Sequence, residues 1–203
     1  MSRTSLPPSL TSRRSVVRAL AAVALYPGWL REVVAHNMAG RVKPPIPVPD
    51  VDVVLHNGRK TNLRELMTGR ATAVQLMFTG CSATCPIQGA LFAEVQQQLP
   101  SQKLPLQLIS VSIDTLGDSP GSMQTWLSKY KAGSSWLGAI PTTKHNDVWL
   151  DFLNGRTKGL DRHTGQVFFF NQHAELNLRT VDFPKPEEVA RLLVQLARET
   201  SIS

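Results

Sequence analysis

The segment "TGCSATCP", residues 79–86, contains the only two cysteines of the chain, Cys81 and Cys85. Two sulfurs four positions apart admit three chemistries: a structural disulfide, a dithiol–disulfide couple, and a clamp for a soft metal ion. A bridge closing over three intervening residues would restrict the unfolded chain little. A chain of 203 residues also buries enough core to fold without one. The staple is the weakest use of the pair, and reactive sulfur the stronger.

The N-terminal segment sets the surroundings in which that sulfur works. Arg13 and Arg14 precede "ALAAVALYPGWL" (19–30), twelve residues without a charge, and the small residue Ala35 follows Val33 and Val34. A basic start, a short apolar stretch and a small-residue exit describe an export signal over residues 1–35, and the arginine pair indicates the twin-arginine route. Twelve apolar residues fall short of the roughly 20 that span a bilayer, so the membrane enters only through an N-terminal anchor if the segment is retained. The expected location is the bacterial periplasm, an oxidising compartment in which an idle thiol pair would close.

The net charge of +7 is concentrated in the same segment. Five of the 22 basic residues and one of the 15 acidic ones precede position 36, leaving 17 against 14, a surplus of three. That is an ordinary surface balance without a basic run to track phosphates, and nucleic-acid binding is excluded as a partner class.

The cysteines need elements to hold them. "AGRVKPPIPVPD" (39–50) reads as a Pro-rich extended lead-in, within a linker over 36–50, and the folded domain is expected over 51–203. "VDVVLHNGRKTNLREL" alternates apolar residues about Asn57-Gly58 and reads as a hairpin. "TAVQLMF" (72–78) and "LPLQLISVSID" (104–114) are buried strands, and Ile87, Ala90, Leu91, Val95 and Leu99 recur at helical spacing after Pro86. Ser119 caps a second helix carrying Met123, Trp126, Leu127 and Tyr130, and "KHNDVWLDFL" is a weaker helix. "GQVFFF" and "ELNLRTVDF" form a second hairpin, and "KPEEVARLLVQLARE" is an amphipathic terminal helix with acids in its first turn.

Strand, helix, strand, helix, hairpin, helix gives an α/β architecture. The order matches a thioredoxin-like fold: a central mixed sheet flanked by helices, here with an N-terminal β-hairpin extension. Cys81 and Cys85 then lie where a central strand enters a helix, the position at which open α/β sheets collect reactive groups. A helix N-terminus favours thiolate over thiol, and residues four apart share one side of a helical turn. In thioredoxin-like redox enzymes a proline precedes the terminal hairpin and faces the cysteines. In this chain that loop is "GLDRHT" (159–164), which has no proline and carries His163, so a Cys2His set is expected. Pro141, in "IPT", reads as a loop proline, and His36, His56, His145 and His173 as ordinary surface histidines.

"FTGCSATCP", "SVSIDTLGDSP" (110–120) and "DRHTGQVFFFNQHAEL" (161–176) together resemble the Sco/SenC copper proteins, over about residues 45–200. Members of that family are thioredoxin-like periplasmic or inner-membrane proteins that bring copper to the dinuclear copper site of cytochrome c oxidase. The resemblance implies Cys81, Cys85 and His163 as copper ligands, and it matches Asp114 and Asp118 to two family acids. Both acids also read as caps for the following helix, and for Asp118 the cap is the preferred reading. Two departures stand out: Ser82-Ala83-Thr84 replaces the family's acid-containing segment between the cysteines, and Arg162 separates Asp161 from His163.

Two functions follow as expectations. The first is a copper chaperone that holds Cu(I), and is open to Cu(II), through Cys81, Cys85 and His163. Its partner is a copper-receiving subunit of cytochrome c oxidase or of another periplasmic copper enzyme. The second is a thiol–disulfide oxidoreductase acting on such a partner's cysteines, with Cys81 as catalytic nucleophile and Cys85 as resolving thiol.

Overall fold

A computed structural model of the chain describes residues 39–100, 104–156 and 163–199. The expected export segment, His36, Asp161 and Arg162 lie outside the described residues.

The frame is one eight-stranded sheet in the order β1-β8-β7-β4-β5-β6-β2-β3. Its centre is β4 (Ala71–Met77) and β5 (Leu106–Ser112), every residue of which is buried. Both strands are covered on two faces, which is why they read as unbroken apolar runs rather than alternating ones. They pair in parallel, β5 pairs in parallel with β6 (Trp136–Pro141), and β7 (Val167–Phe170) runs antiparallel to β4.

Alternate residues of the central strands feed two separate cores. Ala71, Ala73, Met77, Leu106 and Leu108 pack under α2 (Cys85–Gln98), α3 (Pro120–Lys129) and α5 (Pro186–Glu199). Val74, Leu76, Ile109 and Val111 pack under α1 (Leu63–Met67) and α4 (Thr143–Leu153). Inside the first core Ser110 accepts hydrogen bonds from Gln75 (2.8 Å) and the Trp136 indole (2.9 Å), so these buried polar groups share one hydroxyl.

Both hairpins form. β2 (Asp52–Leu55) and β3 (Lys60–Asn62) pair antiparallel about Asn57-Gly58, where Gly58 takes φ 83° and the Asn57 side chain accepts from Arg59 N–H. β8 (Glu175–Arg179) returns antiparallel beside β7.

Three local readings change. Residues Gly40–Pro47 are a strand, β1, paired antiparallel with β8 and shifted in register between Arg41 and Ile46. Its prolines are tolerated because β1 lies at the sheet edge, where missing N–H groups face no neighbour. Pro141 closes β6 rather than sitting in a loop. Residues after Asn62 leave the hairpin for a short helix, because the Asn62 side chain caps Arg64 N–H at 2.9 Å.

Candidate metal centre

β4 stops at Met77, and the chain turns through residues 78–84 before α2 begins at Cys85. Pro86 occupies the first turn of α2, where its missing N–H costs little. Thr84 holds the N-cap position but its side chain caps nothing. That task falls to sulfur: Cys81 Sγ accepts the Cys85 N–H at 3.4 Å and lies 3.8 Å from the Thr84 hydroxyl. Cys81 therefore precedes the helix rather than sharing a helical turn with Cys85, as the four-residue spacing had suggested. The helix end still acts on it through a hydrogen bond aimed at the sulfur.

The two thiols differ in kind. Cys81 is half-buried and Cys85 fully buried, and both are free. Desolvation works against the Cys81 thiolate, but hydrogen bonds from Cys85, Ala83 and Thr84 together outweigh it, so its pKa falls below the usual thiol value. Burial, followed by hydrogen bonding to Cys81, pushes the Cys85 thiol up to about 12.

His163 reaches Cys85 from the segment ahead of β7. Its ring is 2 % exposed, and Nε2 lies 3.5 Å from Cys85 Sγ. Nδ1 lies 2.9 Å from the Thr164 carbonyl oxygen. A carbonyl can only accept, so Nδ1 carries the proton and Nε2 presents its lone pair to the sulfur. That is the arrangement in which a second hydrogen bond fixes an imidazole for metal binding. Phe78 packs edge-on against the ring, with centroids 6.3 Å apart. The loop is pinned at Thr164, whose N–H donates to Gly155 O at 3.0 Å.

Of the three residues expected to converge, Cys85 contacts both others. Among the described residues no three His, Cys, Asp or Glu side chains stand close enough to hold an ion as they are. His56 and His145 are spent on backbone N–H groups of Gly138 and Asp52, and His173 is exposed.

Asp118 does not cap α3. Ser119 does, in a reciprocal capping box with Ser122. The Asp118 carboxylate instead accepts from Thr79 N–H at 3.1 Å, from the Thr79 hydroxyl, and from the Ser112 hydroxyl at 2.6 Å. It ties the cysteine turn to the end of β5. Asp114 accepts from Gly117 N–H at 3.0 Å and shapes the same connection. The sequence gives no hint of the Thr164 carbonyl, since a backbone acceptor has no residue signature. Gln88 also escapes sequence reasoning: one turn after Cys85, it is 1 % exposed and neither of its amide atoms has a partner.

Residues 48–140 match the protein family described as SCO1/SenC, a span that includes both cysteines and stops short of His163. Over that span, just under half of the chain, the sequence is similar to SCO1/SenC domains. A curated relative from Stutzerimonas stutzeri, named as a candidate copper-binding protein, is 30% identical over 87 residues. That match covers 42% of this chain and 42% of the relative, so the chain spans less than half of that relative's length. Among solved structures, yeast Sco1 with copper bound superposes with a TM-score of 0.65 at 14% identity, covering 76% of this chain and 90% of that one. A SCO1/SenC family lipoprotein from Bacillus anthracis gives 0.63 at 19% identity, covering 77% and 99%. At such identities the likeness concerns the fold. Among the described residues, no helix is long and apolar enough to cross a membrane.

Proposed function

We propose that this protein carries copper as cargo, holding Cu(I) between the Cys81 and Cys85 thiolates and the neutral His163 ring. It delivers the ion to a respiratory copper enzyme of the periplasm, the dinuclear copper site of cytochrome c oxidase. The observation that carries the reading is the meeting of Cys85 Sγ with an Nε2 lone pair whose tautomer is fixed from behind by the Thr164 carbonyl. Two thiolates and one imidazole are a soft donor set suited to Cu(I), and three ligands leave room for an incoming donor before any leaves. The family match and the copper-bound yeast relative support the same cargo. In this reading residues 1–35 direct export, and the lipoprotein relative supports attachment to the cell envelope.

Competition for Cu(I) against a chelator of known affinity tests the carrier role. The reduced protein should take up one Cu(I), and His163→Ala, which removes a ligand, should weaken binding by at least the about 10–100-fold that loss of an outer-shell partner costs a metal site. Undiminished affinity in that variant would remove His163 from the site.

The thiol asymmetry favours a second reading, disulfide exchange. The Cys81 thiolate would attack a partner disulfide and release one thiolate, and Cys85 would then displace the second, losing its proton to solvent. The partner gains two electrons and this protein ends as the Cys81–Cys85 disulfide. Fast exchange with a model disulfide that His163→Ala leaves unaltered, together with feeble copper binding, would select this reading over delivery.

A further inference from the structure

Most buried carboxamides of this protein have work to do. Gln75 donates to the Ser110 hydroxyl at 2.8 Å, Gln107 to the Thr72 hydroxyl at 3.0 Å and Gln166 to the Thr180 carbonyl oxygen. Gln88 is different. It is 1 % exposed, and among the described residues it alone has two buried side-chain polar atoms, nitrogen and oxygen, without a partner. Leaving such groups unmet costs stability, and an apolar side chain of similar length would avoid that cost. Its neighbours on the buried stripe of α2, Cys85, Leu91, Phe92 and Val95, all belong to the first core. Helix propensity gives glutamine no advantage over methionine there. A polar group kept against the demands of packing points to a partner gained in the loaded protein.

Helix geometry names that partner. Gln88 follows Cys85 by three positions in α2, and residues so spaced hold their Cβ atoms about 5–6 Å apart on one face. Helical side chains lean toward the N-terminus, which brings the Gln88 amide within reach of the turn that carries Cys85. That turn is formed, since Gln88 N–H donates to Thr84 O at 3.1 Å. Next to it, Gly89 lets the Tyr130 ring close over α2, where an added Cβ would collide with the ring. Water is therefore kept from Cys85, which is 0 % exposed. Two thiolates holding one Cu(I) carry one net negative charge, and residues 79–88 contain no charged side chain to meet it. The Cys85 N–H is aimed at Cys81 Sγ, and His163 turns a lone pair, not a proton, toward Cys85. A neutral buried donor fits what the Cys85 sulfur lacks.

We infer that Gln88 is a positioning residue of the copper site, its amide N–H donating to the Cys85 sulfur when copper is bound and holding that sulfur toward the ion. This rests on the copper-carrier reading above. Hydrogen bonds to a metal-bound sulfur orient the ligand and tune its donor strength, so the orphaned amide costs stability in the metal-free protein and returns it on loading.

The test uses Gln88→Met, which keeps the length of the side chain and removes both polar atoms. Cu(I) affinity of the reduced full chain is read by chelator competition, and stability of the reduced, metal-free chain by denaturant unfolding. Gln88→Met should weaken Cu(I) binding on the order of tenfold while the metal-free unfolding midpoint stays level or rises. Loss of packing alone would lower both. In a Cys85→Ser background, where the sulfur is gone, adding Gln88→Met should cost no further affinity. Wild-type affinity in Gln88→Met overturns the assignment, and so does a parallel fall in affinity and metal-free stability, which would make Gln88 structural. An equal affinity loss with and without Cys85 overturns it as well. If His163→Ala still weakens Cu(I) binding, the carrier reading survives each of these results. A wild-type protein that takes up no Cu(I) overturns both.

Discussion

Cys81 and Cys85 share a residue type and a five-residue segment, yet their surroundings separate them. Cys81 collects N–H and O–H donors at the mouth of α2, whereas Cys85 loses water without gaining comparable donors. Alkylation of the reduced, metal-free protein should therefore mark Cys81 first, with a rate midpoint at lower pH than free cysteine, while Cys85 stays unmodified until the solution is strongly alkaline. Equal labelling of the two would contradict the geometry. The same asymmetry fixes the sign of the pH effect on copper. Cys85 is protonated throughout the neutral range, so Cu(I) must expel that proton, and apparent affinity should rise by at least about tenfold per pH unit between roughly pH 6 and 8. A flat profile in a chelator competition would mean that Cys85 is not a ligand. The cysteine pair stood out by its spacing and His163 by its place ahead of the terminal hairpin, and the fold brings Cys85 and His163 to 3.5 Å. The inequality of the two thiols was not legible, because a pKa depends on burial and on backbone donors that leave no mark in the residue string.

Elements position the candidate ligands, and Asp118 ties the cysteine turn to the end of β5. Its carboxylate accepts from both groups of Thr79 and from Ser112, linking the cysteine turn to β5. Removing it in Asp118→Ala strands those donors and should cost about 2–3 kcal/mol in denaturant unfolding. Ser119→Ala, which removes only the cap of α3, should cost about 1 kcal/mol. Equal losses in the two variants would assign Asp118 no more than a capping role. The sequence pattern suggested that capping role because Asp118 directly precedes Ser119 and Pro120. A long-range tie to residue 79 has no periodic signature. β6 was hidden for another reason. Gly138 and Pro141 punctuate it, but an added Cβ at Gly138 would lie 2.3 Å from Met123 Cγ, so this glycine makes room for α3 rather than breaking a strand. β1 was obscured by prolines that an edge position tolerates.

At the scale of the molecule, a sheet covered on both faces gives a base from which the chain at one end presents sulfur and imidazole. Strand order, crossover helices and terminal hairpin were readable because buried parallel strands and amphipathic helices write long, regular patterns. The N-terminal segment belongs to this scale too: the full chain should accumulate in the periplasm of a bacterial host, and the Arg13→Lys, Arg14→Lys double variant should stay in the cytoplasm, as fractionation would reveal. What would unite the levels is the proposed coordination of copper by Cys81, Cys85 and His163, three side chains from two distant segments. X-ray absorption on the Cu(I)-loaded protein reads that coordination directly. The account predicts two sulfur scatterers and one imidazole nitrogen, with the nitrogen lost in His163→Ala. A spectrum with two sulfurs alone, identical in the wild-type protein and the variant, would contradict it.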